Sequence, residues 1–265
     1  MNSLFEPGLL ESLTPPIAVA TERVGERLLR RVQHSVSAHQ GYRTLRREQH
    51  LWLPVAPGLR EHRLREDAGM RVSLCRLDAG ACWYLPPEGE AAELLVVQGS
   101  LQASGRPGGD ALAAEGYVVL DRAISAPPWV AAEPTLVYVR SRLRQAPALP
   151  ALEAHWWQLA ARQAGQPRRP RWRAASPGVQ IMPLCGDATV TSMLVRFEAG
   201  AAVPDHRHAL DEDCLVLAGE MFLGDILLRP LDYQLAPAGG GHFGETSDVG
   251  VTFFFHGALD PVLLG

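Results

Sequence analysis

The sequence predicts a mainly β protein made of two tandem barrels of jelly-roll type, with an N-terminal helix and a linking helix. Three observations carry this reading: an internal repeat, short strands at regular spacing in both copies, and two segments with helical start and stop signals.

The repeat is found at a fixed offset. Trp52 and Gly58 recur as Trp172 and Gly178 (172 − 52 = 120), and the same offset relates Leu64 to Leu184, Arg76 to Arg196, Gly80 to Gly200 and Gly99 to Gly219. Gly116-Tyr117 then matches Asp232-Tyr233 at an offset of 116, so the first copy holds four more residues (120 − 116 = 4), assigned to a hairpin over Gly105–Asp110.

Taken in order, the elements follow from composition and punctuation. A helix is expected over 16–33, with Val24, Leu28 and Val32 on one face and Pro15-Pro16 as its start. Met70–Leu77, Ala92–Val97 and Thr135–Val139 are apolar and β-branched runs bounded by Gly and Pro, as strands are. A second helix is expected over 151–164, between Pro150 and Gly165, with Trp156-Trp157 as packing residues. Val190–Phe197, Cys214–Leu217 and Val251–Phe255 repeat the strand pattern. The expected divisions are an N-terminal helical segment (1–45), a first barrel (46–145), a helical linker (146–168) and a second barrel (169–265).

Composition excludes several functions. All 25 basic residues are Arg, so Schiff-base and P-loop lysine chemistry is ruled out. A net charge of −4 argues against a nucleic-acid partner. No apolar run approaches the ~20 residues of a membrane span, and the first ten residues carry no secretory signal. Cys75, Cys82, Cys185 and Cys214 are scattered, as free thiols of a reducing cytoplasm would be.

The chemistry lies in the second copy. Gly200-Ala-Ala-Val-Pro-Asp-His206-Arg-His208-Ala-Leu-Asp-Glu212 places two imidazoles at i and i+2, on one face of a strand, with a carboxylate four residues on. Pro237-Ala-Gly-Gly-Gly-His242 supplies a third imidazole. Three imidazoles and a carboxylate suit one divalent transition metal per chain, zinc first, with iron, manganese or nickel as alternatives.

These two segments resemble the paired motifs of the cupin superfamily, whose barrel is a double-stranded β-helix. The resemblance makes His206, His208, Glu212 and His242 the four metal ligands. The wider text, from Trp172 and Pro177-Gly178 through Gly219 to Asp232-Tyr233, is similar to the ChrR-like cupins found in ChrR-type anti-sigma factors and small dioxygenases. Thr246 stands where the second motif often has Asn.

In the first copy Pro86, Glu88 and Ala92 replace His206, His208 and Glu212, and Asp121–Ala126 holds no imidazole. That barrel is expected to be metal-free with an apolar interior. Glu88, Glu90 and Glu93 read as a solvated face, with Glu88 in solvent or paired to an Arg. Cys214 reads as a small buried residue, Phe222, Phe253 and Phe255 as barrel filling, and His256 as a strand-end residue. The segment 14–32 resembles the helix that closes a sigma-binding domain, but no Cys or His precedes it, which argues against sigma-factor binding by that route.

Two functions fit. One is a regulatory bicupin that senses a small ligand or oxidant. The other is a mononuclear Fe(II) dioxygenase acting on a small carbonyl compound. No acid–base pair stands out beside the ion, which favours the first; a purely structural storage-type bicupin would have lost the ligands. The two barrels are expected to pack as an internal pseudo-dimer braced by 16–33 and 151–164, and pairing of whole chains into a homodimer is compatible with this.

Overall fold

The computed structural model describes residues 17–67, 69–86, 88–104, 111–124, 128–145, 147–167 and 170–260. Two compact units divide the chain, 1–40 and 41–265. The first contains the helix α1 (Ile17–Ala38), which runs five residues beyond the expected 33. Val24, Leu28, Leu29, Val32 and Val36 are exposed on it.

The second unit holds both barrels, and the repeat is visible in their topology. In the first, six strands lie in the order Leu53–Ala56, Leu59–Asp67, Met70–Leu77, Thr135–Leu143, Gly89–Gln98, Tyr117–Asp121. In the second the order is Arg173–Ser176, Val179–Gly186, Val190–Phe197, Val251–Ala258, Glu212–Gly219, Tyr233–Ala236, the same sequence of equivalents. A four-stranded sheet faces each. Leu101 pairs with Leu112 in one copy and Met221 with Leu228 in the other, so the four extra residues fall between Ala103 and Ala111. The expected hairpin over 105–110 lies outside the described residues.

Repeat-matched residues do matching work. Arg76 stacks its guanidinium 3.9 Å from the Trp52 ring centroid, and Arg196 lies 4.0 Å from that of Trp172. Gly99 and Gly219 both sit at positive φ (82° and 75°), and a Cβ at Gly219 would stand 2.0 Å from the Gly250 carbonyl oxygen. Only glycine fits that turn.

Three apolar cores follow from the alternation of side chains along the strands. One fills each barrel. The third joins them: Leu64, Val72, Leu74, Leu95 and Tyr138 of the first copy pack on Leu184, Leu194, Leu215 and Phe254 of the second. Helix α2 (Ala151–Ala161) ends three residues before the expected 164 and closes this seam with Trp156 and Trp157, both buried.

Two readings need correction here. Residues 43–45 are not part of a helical segment: Arg43–Leu45 is a strand that pairs with Tyr233–Ala236 and completes the second copy's sheet as its seventh strand. Glu93 does not belong to a solvated face. Its side chain points away from the barrel interior into the seam, fully buried, where Arg140 meets it at 3.1 Å and the Tyr117 hydroxyl donates to it at 2.9 Å. The charge run misled because the strand alternates, and only Glu88 and Glu90 keep substantial exposure. Glu88 pairs with Arg71.

Candidate metal centre

Four side chains converge at the mouth of the second barrel. His206-Arg207 forms a two-residue strand paired with Gly241-His242, which sets His206 directly opposite His242. A Cβ on Gly241 would lie 2.4 Å from the His206 carbonyl oxygen, so the absence of a side chain there lets the two strands close. The ring centroids of His206 and His208 are 5.5 Å apart, and those of His208 and His242 4.5 Å. Glu212, first residue of the strand Glu212–Gly219, reaches both: its carboxylate oxygens stand 2.8 Å from His242 Nε2 and 3.3 Å from His208 Nε2. Donor atoms of His206, His208 and Glu212 all lie within 4.8 Å of one another.

The fit to a cation is tested by what these groups lack. His208 is buried, and neither ring nitrogen makes a hydrogen bond to a described residue. Such orphaned polar atoms are rare in folded proteins and costly unless a ligand or ion completes them. The His206 Nδ1–H donates to the Pro204 carbonyl at 3.0 Å, which leaves Nε2 with its lone pair toward the cluster, as metal-bound histidines are usually held. Burial lowers the pKa of His208 to about 4, so its imidazole is neutral near neutral pH and available for coordination. Burial opposes charge on Glu212 too, but His242 outweighs it and holds the carboxyl below its ordinary value. His242 is raised in turn: burial works against its protonation, and Glu212 prevails.

Sequence reasoning missed two residues. Glu245 is 7% exposed, lies 3.9 Å from His206 Nε2, and its carboxylate makes no hydrogen bond to a described residue. Burial raises its pKa. Its signal was faint, one acid three residues after His242, and its place follows from Thr246-Ser247 pairing with Ala201-Ala202. Tyr42 is the other. Its hydroxyl donates to the Gly241 carbonyl at 2.7 Å and accepts from the Gly241 N–H at 2.9 Å, while its ring meets His242 edge-on with centroids 5.7 Å apart. Nothing in the sequence links positions 199 residues apart.

Beside the cluster lies a cavity of about 300 Å³, bounded by His206, Glu212 and Glu245 on one side and by apolar residues, Met193, Phe253 and Phe255 among them, on the other. Phe222 is instead half-buried in the facing sheet. Cys214 is buried in the barrel core, its thiol pushed well up by burial. His256 is not a strand-end residue. It is buried in the seam, 2.9 Å from Ser192 Oγ and 3.2 Å from Glu153.

In the first barrel the equivalent of Glu245 is Trp129 (245 − 129 = 116), paired with Trp83, the equivalent of Val203 (203 − 83 = 120). Both indoles are buried, and no group of three potential metal-ligating side chains is found there among the described residues.

Residues 160–260 match the family model of the ChrR cupin-like domain. No curated protein matches the chain in sequence. In structure it is similar to protein YlbA from E. coli (15% identity, 83% of this chain and 92% of that one, TM-score 0.60). It is also similar to a candidate dioxygenase from Nostoc punctiforme (15% identity, 81% of each chain, TM-score 0.58). A third likeness is to the oxalate decarboxylase of Bacillus subtilis, a protein with Mn(II) centres (17% identity, 81% of this chain and 76% of that one, TM-score 0.56). Residues 160–260 are thus a ChrR-like cupin domain, set in a chain whose two barrels share the cupin fold.

Proposed function

We propose that the second barrel holds one divalent transition metal on His206, His208, Glu212 and His242 and acts as a mononuclear oxygenase on a small, largely apolar carbonyl compound. The observation that carries this is Glu245: a buried carboxylate, 3.9 Å from His206 and without a hydrogen bond to a described residue, that opens into an apolar cavity beside the ligand cluster. Glu245 supplies beside the cluster the acid–base group that a purely sensing site would not need.

A bound ferrous ion would supply Lewis acidity and electrons to O₂. The rest falls to the chain. The apolar wall takes the hydrocarbon part of the substrate and excludes water. Glu245 stands where it can accept the proton of an enolisable C–H or hydroxyl group. Both atoms of O₂ enter the organic product, so no further reductant is required.

The experiment is oxygen uptake by the Fe(II)-loaded chain with a panel of small enolisable ketones, together with X-ray absorption of the native metal. Uptake that depends on the ketone and falls at least tenfold in Glu245→Gln is expected. A four-coordinate zinc site with no uptake after iron loading would overturn the enzyme and leave the sensing role. That role is favoured by one observation, the match to the ChrR type of cupin, and would take a small ligand or oxidant at the same cavity.

A further inference from the structure

The first barrel has a cavity of its own, also about 300 Å³, at the place equivalent to the cavity of the second barrel. Disuse should have left it apolar, because a polar group without a partner is costly to bury. Much of the barrel fits that expectation, with Pro86, Ala92 and Trp129 where the second copy has His206, Glu212 and Glu245, but three lining positions have changed the other way. Glu61 stands where the second barrel has Ile181, Ser73 where it has Met193, and Ser141 where it has Gly257 (offsets 120, 120 and 116). At these three positions the wall that carries apolar residues or glycine in the metal-binding copy carries polar side chains in the copy without the imidazoles.

The charges on this wall do not cancel. Arg71 is occupied, with Glu66 and Glu88 on its guanidinium. Glu61 accepts a hydrogen bond from the Ser73 hydroxyl and has no cationic partner among the described residues. Ser141 is buried, and its hydroxyl makes no hydrogen bond to a described residue. Cys75 adds no charge, since burial pushes its thiol up to about 12. One carboxylate and two hydroxyls are too few oxygens for a hard metal cation, which takes six or more. They suit an ammonium group, with three donors for three acceptors. Buried Trp83 and exposed Tyr84 supply aromatic surface around them.

We propose that the first barrel is a binding site for a small organic cation, a primary ammonium ion on a short apolar body, held by Glu61, Ser73 and Ser141. This site is separate from the metal cluster and does not depend on the function assigned to it.

The test is calorimetric titration of the full, metal-loaded chain with benzylammonium and n-butylammonium, and with benzyl alcohol as the neutral counterpart. Saturable binding of the ammonium ions is expected, at least tenfold tighter than the alcohol. Glu61→Gln should weaken ammonium binding tenfold or more and leave the alcohol unaffected. Ser141→Leu should block both by filling the cavity. Stripping the metal with a chelator should change neither. Thermal melts check that the variants fold, and Ser73→Met, which restores the second barrel's residue, replaces Glu61→Gln if that variant does not. Absence of saturable ammonium binding up to about 10 mM overturns the proposal. So does an unchanged affinity in the charge-removing variant, or in Ser73→Met where it stands in, or loss of binding with the metal.

Discussion

Glu93 and Asp213, equivalent residues of the two copies (213 − 93 = 120), lie on the same guanidinium, that of Arg140, at 3.1 and 3.6 Å. Each also takes a tyrosine hydroxyl, Tyr117 on Glu93 and Tyr233 on Asp213. Arg65 reaches Asp213 from the other side at 3.5 Å, and Glu153 of α2 receives both Arg140 and His256. The seam between the barrels is therefore a satisfied ionic network set inside an apolar core. Asp213 directly follows the candidate ligand Glu212, so the network also anchors the strand that presents it.

Arg140→Leu should destabilise the chain by ~3–5 kcal/mol, because it removes the cation that three buried carboxylates share. Equilibrium urea unfolding measures the loss. A cost under about 1 kcal/mol would show that the seam does not depend on this residue.

Glu153 gives the seam a pH dependence. Burial opposes its ionisation, but Arg140 and then His256 hold its carboxyl far below the usual 4.5. A group depressed on folding stabilises above its unfolded pKa, and that contribution fades as pH falls below it. The stability gap between the parent and Glu153→Gln should thus be constant above about pH 5 and shrink below about pH 4.5. Unfolding curves across that range test the sign. A gap that widens in acid would contradict it.

Elemental analysis should find one metal per chain, and His208→Ala should abolish stoichiometric binding while the barrel stays folded by circular dichroism. Adding metal should raise the melting temperature of the parent and not of the variant, since only a ligand that binds the folded state stabilises it. Two ions per chain would count against a single site.

The first barrel should resist repair. Pro86→His, Glu88→His and Ala92→Glu together, with His242→Ala to silence the second site, should bind no metal in titration. The buried Trp129–Trp83 pair occupies the positions equivalent to Glu245 and Val203. Tight stoichiometric binding would mean that the duplicated site is dormant and not lost.

Much of this was legible in the sequence because the repeat preserves residues with local duties. The Trp–Arg pairs stack and Gly99 and Gly219 turn at positive φ in both copies. The convergence of His206, His208, Glu212 and His242 was legible because side chains that meet at one point need a fixed spacing on short paired strands. The two helices and the six named strands followed from punctuation, with ends off by up to five residues, while strands such as Leu59–Asp67 and Tyr233–Ala236 were not anticipated one by one. What escaped depended on long-range pairing. Tyr42 and the strand Arg43–Leu45 serve the second barrel from a place before the first, and no local pattern records that. Glu245 was one acid among many until the strands brought it to His206. Glu93 looked solvated beside Glu88 and Glu90, and only alternation along a strand turns it inward.

The strand Arg43–Leu45 ties the second barrel to a segment that stands before the first. Cutting the chain between the copies would free the hydrogen-bonding edge of Tyr233–Ala236 and remove Tyr42 from behind His242. A bare edge is a template for pairing with another chain. The second half expressed alone would carry that liability, so it depends on a strand that stands before the first barrel to close its own sheet.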